Sequence, residues 1–340
     1  MKLVTGGTGL LGSHVLLDLT RSGKKVRAIR RKSSKSDALI SFFESAGQKK
    51  LFDNIEWVDG DVLDLFSLSD ALKGAEQVYH CAGLVSFSPK DDEKMLAVNY
   101  RGTENVVNLA LETGVKKFCH VSSIAALGRT SSSEIITEES GWKNSGENSP
   151  YAISKYSAER EVWRGIAEGM DAVIVNPSVI LGPGDWHNSS ARIFSQIQKG
   201  MKFYSDGVNG FVDVRDVSKA MIQLMDSPVC NERFIVSSEN YSYERLFSEI
   251  SACLGKPKPF IKVNPFISAI AWRVEFLRSL LTGSNPLITK ATARTALGKY
   301  YYSNKKLSDA LKFSFIPVKK SIEDTSAAFL RQRNPGRIND

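Results

Sequence analysis

The chain is poor in the residues that carry metal and disulfide chemistry: its 340 residues include only four cysteines and four histidines. Cys81, Cys119, Cys230 and Cys253 are scattered without a C-x-x-C spacing, and two of them fall in predicted buried strands, where thiols stay reduced and inert. His14, His80, His120 and His187 form no ligand cluster, so no metal is expected; only His187, beside Asp185 and Trp186, is placed to face a substrate. Long hydrophobic runs are also missing. The most apolar stretch, Pro265 to Leu281, is broken by Arg273, Glu275 and Arg278 and falls short of the roughly 20 apolar residues a membrane span needs. Its residues Ile267, Ile270, Val274, Leu277 and Leu281 form a helical stripe, read as a helix packed on the body of the protein, a lid over an apolar substrate or a surface helix touching membrane. The first strand begins at Lys2 or Leu3 and leaves no room for a targeting peptide, so a cytoplasmic location is expected. The net charge is +8, and residues 290–340 hold 11 Lys or Arg against 4 Asp or Glu. No zinc knuckle, RNP motif or aromatic stacking platform accompanies that charge. A solvated basic face is therefore expected rather than specific nucleic-acid binding.

What is present is a repeating alternation of short apolar strands and helices. Val26 to Ile29, Ile55 to Val58, Gln77 to Cys81, Phe118 to Val121 and Ala172 to Val175 read as strands of a parallel, doubly wound α/β sheet. A later strand, Phe234 to Val236, is expected to return to it. The polar, helix-poor segment 130–150 reads as a loop arching over the active site. The first strand runs into Gly6, Gly9 and Gly12 with Thr8, Leu10 and Leu11 between and after them, and an amphipathic helix follows. Glycine at the first position lets the chain turn sharply, and at the second lets backbone approach a pyrophosphate. The third lets helix lie close on strand, and the helix N-terminus then offers free N–H groups to phosphate. A carboxylate about twenty residues further on usually binds a ribose 2′-hydroxyl. Here Arg30, Arg31 and Lys32 stand instead, with Lys35 close behind. Guanidinium groups there suit a 2′-phosphate.

Tyr151 and Lys155 are four residues apart, so on a helix both side chains emerge on one face. A phenol has a pKa near 10 and is a poor proton donor or acceptor at neutral pH; a neighbouring ammonium is expected to move it downward. Upstream, a strand ends at Ser122 and Ser123, hydroxyls suited to hold a carbonyl oxygen.

In that order and spacing, the glycine turn, the strand-end serine and the Tyr/Lys pair resemble the short-chain dehydrogenase/reductase superfamily, and its extended branch in particular. Further motifs carry the resemblance over nearly the whole chain. Asp61 and Val62 match positions that touch adenine, and Cys81, Ala82 and Gly83 match the fourth-strand motif along the cofactor. Asn99, Gly102 and Thr103 resemble the extended-branch NxxGT helix, Asn176 and Pro177 the strand end beside the nicotinamide, and Phe211 to Val217 the late signature. The departures are informative. Nucleotide-sugar epimerases carry Tyr-Gly after the serines where this chain has Ala126, Leu127 and Gly128. They also carry a phosphate-gripping Arg where it has Asn209 and Gly210. Sugar dehydratases place Asp-Glu where Ile124 and Ala125 follow Ser123. What remains is similar to the dihydroflavonol-reductase and 3β-hydroxysteroid-dehydrogenase-like group.

The resemblance implies a Rossmann-type sheet with a smaller, discontinuous C-terminal substrate lobe. The expected division is 1–177 and 211–237 for cofactor, and 178–210 and 238–340 for substrate. It implies an NAD(P)-dependent oxidoreductase that reduces a carbonyl, or oxidises the matching alcohol, of a largely uncharged, apolar small molecule. The charge at Arg30 and Arg31 favours NADP(H) over NAD(H). Ser123 and Tyr151 are expected to polarise the carbonyl, Tyr151 to supply the proton and Lys155 to bind the nicotinamide ribose. Asn99 is expected near Lys155, and Phe87, Trp186, Phe203 and Tyr204 along the pocket. A homodimer is usual among the look-alikes. Two alternatives stay open: a nucleotide-sugar epimerase with tightly held NAD, for which Arg192 or Arg215 would have to grip phosphate, and a non-catalytic NADP(H)-binding protein.

Overall fold

The computed structural model describes residues 1–34, 37–128, 134–146, 148–186, 190–282 and 289–333. In the first half, strands and helices alternate: β1 (Lys2–Thr5), α1 (Leu10–Arg21), β2 (Val26–Arg30), α2 (Asp37–Ser45), α3 (Lys49–Phe52), β3 (Ile55–Asp59), α4 (Leu65–Leu72) and β4 (Gln77–His80). Then come α5 (Asp92–Leu96), α6 (Gly102–Glu112), β5 (Lys117–Val121), the short β6 (Ile135–Ile136), the long α7 (Pro150–Ala167) and β7 (Ala172–Pro177). The second half holds β8 (Val179–Leu181), α8 (Arg192–Gln198), β9 (Phe203–Tyr204), β10 (Val208–Asp213), α9 (Val214–Asp226), β11 (Glu232–Val236) and β12 (Glu239–Ser242). It ends in α10 (Tyr243–Cys253), β13 (Ile261–Lys262), α11 (Pro265–Thr282), α12 (Lys290–Leu297), β14 (Tyr301–Tyr302), α13 (Lys305–Leu311) and α14 (Val318–Arg333).

Seven strands form one sheet in the order β11-β7-β5-β4-β1-β2-β3, parallel throughout. Burial explains the composition of the strands. Interior strand β7 is buried at all six positions and is apolar from Ala172 to Val175, whereas edge strand β3 carries exposed Glu56 and Asp59. Helices cover both faces. Apolar side chains join α1 and α9 to one face of the sheet through Val15, Leu16, Val217 and Met221, and α4, α6 and α7 to the other through Leu68, Val106 and Val162. The strand order reverses between β1 and β4, which opens a crevice at their carboxyl ends, the usual ligand position in such sheets. A second core, around Phe194, Phe211, Tyr241, Ile250, Ile322 and Phe329, ties the three-stranded sheet β12-β10-β8 to α8, α10 and α14.

Two expectations change. The described part of the 130–150 segment does not stand free as an arch: β6 pairs with β14, and Glu138 accepts a hydrogen bond from the backbone N–H of Ile235 at 2.8 Å. Long-range pairing with β14 and β11 fixes it, and neither partner is visible in its own polar composition. The apolar stripe of α11 is not buried: Ile270 is 48% exposed and Val274 59%. The inward side of that helix holds Ser268, and the side chains of Leu277 and Leu281 lie outside the described residues.

Candidate active site

At the β1–α1 turn the glycines are sterically required. Gly6 has φ +68°, and a Cβ there would lie 2.6 Å from the Ala82 nitrogen; a Cβ on Gly12 would lie 2.2 Å from the Gly6 carbonyl oxygen. The turn is therefore packed backbone to backbone, with Thr8 and Gly9 on its open side. Gly9 is the N-cap of α1, no side chain caps the helix, and its first turn holds no acidic residue. That leaves an electropositive ring of N–H groups, suited to a dinucleotide pyrophosphate. Leu10 reaches across to the segment at Gly182 and Gly184, and Leu11 and Gly12 are buried beneath the turn.

A buried hydrogen-bond chain joins this turn to the next cofactor-facing segment. Thr5 Oγ1 lies 2.7 Å from His80 Nδ1, and His80 Nε2 lies 3.0 Å from Thr103 Oγ1, which donates to the Asn99 carbonyl at 2.6 Å. Thr5 Oγ1 also accepts from the Ala82 N–H at 3.2 Å. Burial pushes the His80 imidazole down to about 3, so the ring works as a neutral bridge. Asn99 sits in a π-helical turn, Ala97–Arg101, between α5 and α6. Its side chain is fully used: Oδ1 accepts from Leu84 N at 2.7 Å, and Nδ2 donates to Leu84 O and Ser154 Oγ, each at 2.9 Å. Asn99 thus braces the Gly83–Leu84 segment against α7.

Along α7, Tyr151, Lys155 and Glu159 recur every four residues and share one face. Pro150 opens the helix and the Ser149 side chain accepts from Ala152 N. The Ser123 hydroxyl accepts from Ala125 N at 3.1 Å and lies near enough to the Tyr151 phenol to oppose the rise that burial gives its pKa. Lys155, 5% exposed, donates from Nζ to the Val121 carbonyl at 2.7 Å and lies beside Gly83 and Asn99 Oδ1. Burial lowers its pKa to about 8, against the opposing effect of Cys81 and Glu159. Phe87 packs edge-on to Tyr151 with ring centroids 6.1 Å apart.

The arrangement can hold a nicotinamide dinucleotide along the glycine turn and the segment at residues 81–83, with a phenol, a hydroxyl and an ammonium at one end. Residues 2–236, more than half of the chain, match the sequence profile of the NAD dependent epimerase/dehydratase family. The chain belongs to that family. Sterol demethylase protein B of Methylococcus capsulatus is 30% identical over 77% of this chain and 77% of its own length. Cinnamoyl-CoA reductase 1 of Petunia hybrida is 26% identical over 95% of this chain and 90% of its own. The solved structure of gox2253 is 29% identical, covers 100% of this chain and 99% of its own, and superposes with a TM-score of 0.82. The family assignment makes this chain an NAD(P)-dependent enzyme of the short-chain dehydrogenase/reductase type.

In this family member the phenol departs from the sequence expectation. Tyr151 is not shifted downward by its lysine. Burial raises the phenol, the Ser123 hydroxyl opposes that rise, and the Lys155 ammonium is engaged by the Val121 carbonyl. Arg30 is tied to the neighbouring strand: its Nε donates to Asp59 Oδ1 at 3.2 Å, and the guanidinium lies 5.4 Å from the centre of the Trp57 ring. Arg31, one residue on, is exposed. Asp61 accepts from Leu63 N at 3.0 Å, Val62 is buried against Gly102, and Pro177 is buried at the end of β7. Trp186 packs into the second core against Phe194 and Phe329 and donates to Gln332. Phe203 and Tyr204 form strand β9, paired to β13. His187 and Lys35 lie outside the described residues.

The sequence reading missed a buried polar cluster behind the serines. Glu159, 2% exposed, accepts from Ser122 Oγ at 2.6 Å and from Asn176 Nδ2 at 2.8 Å. Asn176 Nδ2 also donates to the Ser123 carbonyl at 3.1 Å, and Arg233 reaches Glu159 from β11 at 2.9 Å. Only the i, i+4, i+8 spacing from Tyr151 to Glu159 hinted at it.

Proposed function

We propose that the chain is an NADP(H)-dependent oxidoreductase that reduces the carbonyl of an uncharged, apolar small molecule, or oxidises the corresponding alcohol. The observation carrying this reading is the placement of Tyr151 one helical turn from buried Lys155 on one face of α7, with Ser123 at the end of β5 beside the phenol. A carbonyl oxygen seated between the two hydroxyls would accept from both, where negative charge develops during reduction. Tyr151 delivers the proton to that oxygen. The chemistry that a bound nicotinamide supplies is hydride transfer to the carbonyl carbon. With the cofactor bound, Lys155 would hold the ribose hydroxyls from its place beside Gly83, and Asn99 keeps the Gly83–Leu84 segment in register with α7. Residues 178–210 and 238–340 would form the substrate lobe, and residues 1–177 and 211–237 the cofactor half.

Arg31 supports NADP(H): it stands exposed where NAD enzymes place an acid, while Asp59 already has Arg30 as its partner. Relatives named reductases support carbonyl reduction. Against a sugar-diphosphate substrate stands Arg215, whose guanidinium holds Asp213 at 2.7 and 2.8 Å and Asp324 at 2.9 Å. The test is to denature the purified chain, identify any released nicotinamide, and titrate the native protein with NADPH and NADH. A site preferring NADPH, followed by carbonyl-dependent NADPH oxidation, is expected. Stoichiometric retained NAD would overturn the reading in favour of epimerisation, and binding of neither cofactor would leave a non-catalytic protein.

A further inference from the structure

The β9–β13 ribbon and α11 gather large apolar side chains on the outside of the protein. Phe203 is 50% exposed, Phe260 69%, Phe266 73%, Ile270 48% and Val274 59%. They form one neighbourhood. Phe203 is in register with Ile261, and the N–H groups of Phe260 and Ile261 both donate to the Lys202 carbonyl, at 3.0 and 2.9 Å. Asn264 then joins ribbon to helix, its side chain accepting from Ile267 N at 2.8 Å. On α11, Phe266, Ile270 and Val274 follow at four-residue intervals, a ridge about 12 Å long at 1.5 Å per residue. Ser268 faces the other way and is 7% exposed. Isolated exposed apolar residues need no explanation, but a contiguous ridge of this kind marks an interaction surface.

The charge around the ridge selects the partner. From Gly255 to Val274 the chain holds Lys256, Lys258, Lys262 and Arg273 and no acidic residue. Lys199 and Lys202 stand exposed beside β9, and the nearby Asp206 is matched by Lys262 at 3.0 Å. A second copy of the chain would set the same lysines against one another. An anionic surface complements them. Among the described residues no helix is long and apolar enough to cross a membrane, and a helix with an apolar outer face and a basic surround lies in a lipid interface instead.

We propose that the ridge formed by Phe260, Phe266, Ile270 and Val274 docks on an anionic lipid bilayer, with the surrounding lysines against lipid phosphates. The aromatic and aliphatic side chains enter the boundary between headgroups and acyl chains, and each basic residue adds attraction that falls away within a Debye length. This docking depends on no feature of the catalytic chemistry, and it stands or falls separately from the proposed reaction.

The experiment is co-sedimentation of the full chain with phosphatidylcholine vesicles, with and without phosphatidylserine, over a range of salt. Binding that requires phosphatidylserine and weakens as salt rises is expected. Phe266→Ser, Ile270→Ser and Val274→Ser combined should abolish binding while leaving the melting temperature unchanged. Lys199→Glu with Lys258→Glu should weaken it by at least about tenfold, the effect of reversing two charges at the surface. Three results overturn the proposal. One is wild type in the supernatant with both vesicles. Another is a triple variant that binds as wild type does, which would place the attraction on another basic surface. The third is self-association in gel filtration that the triple variant abolishes, with no vesicle binding, which would make the ridge an interface between copies.

Discussion

The carboxyl ends of β4, β5 and β7 and the outer face of α11 solve opposite problems. At the strand ends, polar side chains are buried and several are linked to one another. Ser122, Asn176 and Arg233 converge on Glu159, and His80 bridges Thr5 to Thr103. On α11 the large apolar side chains Phe266, Ile270 and Val274 are left open to water. The first region needs fixed geometry, because a donor misplaced by an ångström loses much of its effect on a reacting oxygen. The second needs none within the monomer. Ionisable groups are therefore buried where chemistry is arranged, and apolar groups are exposed where something else must cover them.

The comparison breaks first at Tyr151. Tyr151→Phe should keep cofactor binding and lose turnover by about 10³-fold, measured as carbonyl-dependent NADPH oxidation, because the general acid is gone while packing is kept. Equal activity would remove the strand ends as the reaction centre. Glu159→Gln tests the buried cluster. It leaves the Arg233 guanidinium without its carboxylate, at a cost of about 3 kcal/mol in urea unfolding. It also removes a charge that holds the Lys155 pKa up, so the alkaline limb of the activity profile should move to lower pH than in the wild type.

Acid should unravel the strand-end region ahead of the ridge. Burial lowers His14 to about 4 and His80 to about 3 from the ordinary value of 6.5, and His120 well below it. A base with a lower pKa folded than unfolded binds fewer protons when folded. Its contribution is complete above 6.5 and is lost as pH falls through that value toward the folded pKa. At pH 5 His14 and His80 should each cost about 2 kcal/mol, with His120 acting in the same direction, seen as a falling melting temperature between pH 7 and 5. His80→Asn should flatten that slope, and an unchanged slope would show that His80 is not buried neutral.

Arg31→Glu is a smaller test at the rim, with an expected loss of about tenfold in NADPH affinity and none for NADH. The smallest effect belongs to the ridge. Phe266→Ser should change unfolding free energy by less than about 0.5 kcal/mol. A large destabilisation would mean that the side chain is covered within the monomer after all, and would erase the contrast between the regions.

Much of this was legible in advance because the signals are local. Gly6, Gly9 and Gly12 identify their turn by steric need, apolar strands of four to six residues identify a parallel sheet, and the return of Phe234 to Val236 to that sheet was anticipated. The spacing of Tyr151 and Lys155 on one helical face was equally readable. The polar segment at 134–146 is mostly loop, as its composition says, but its anchoring to β14 and β11 comes from residues more than 90 positions away.

The sequence by itself determined the order of the elements, the glycine turn and the candidate Ser/Tyr/Lys set, because each depends on residues a few positions apart. Tertiary structure decided the rest. It gave Arg30 its Asp59, gave Glu159 its Arg233, engaged Lys155 with the Val121 carbonyl and left one face of α11 uncovered. The physical reason is that burial and partnership are properties of surroundings. Whether a charge is matched or an apolar face is covered depends on segments brought together only when the chain folds.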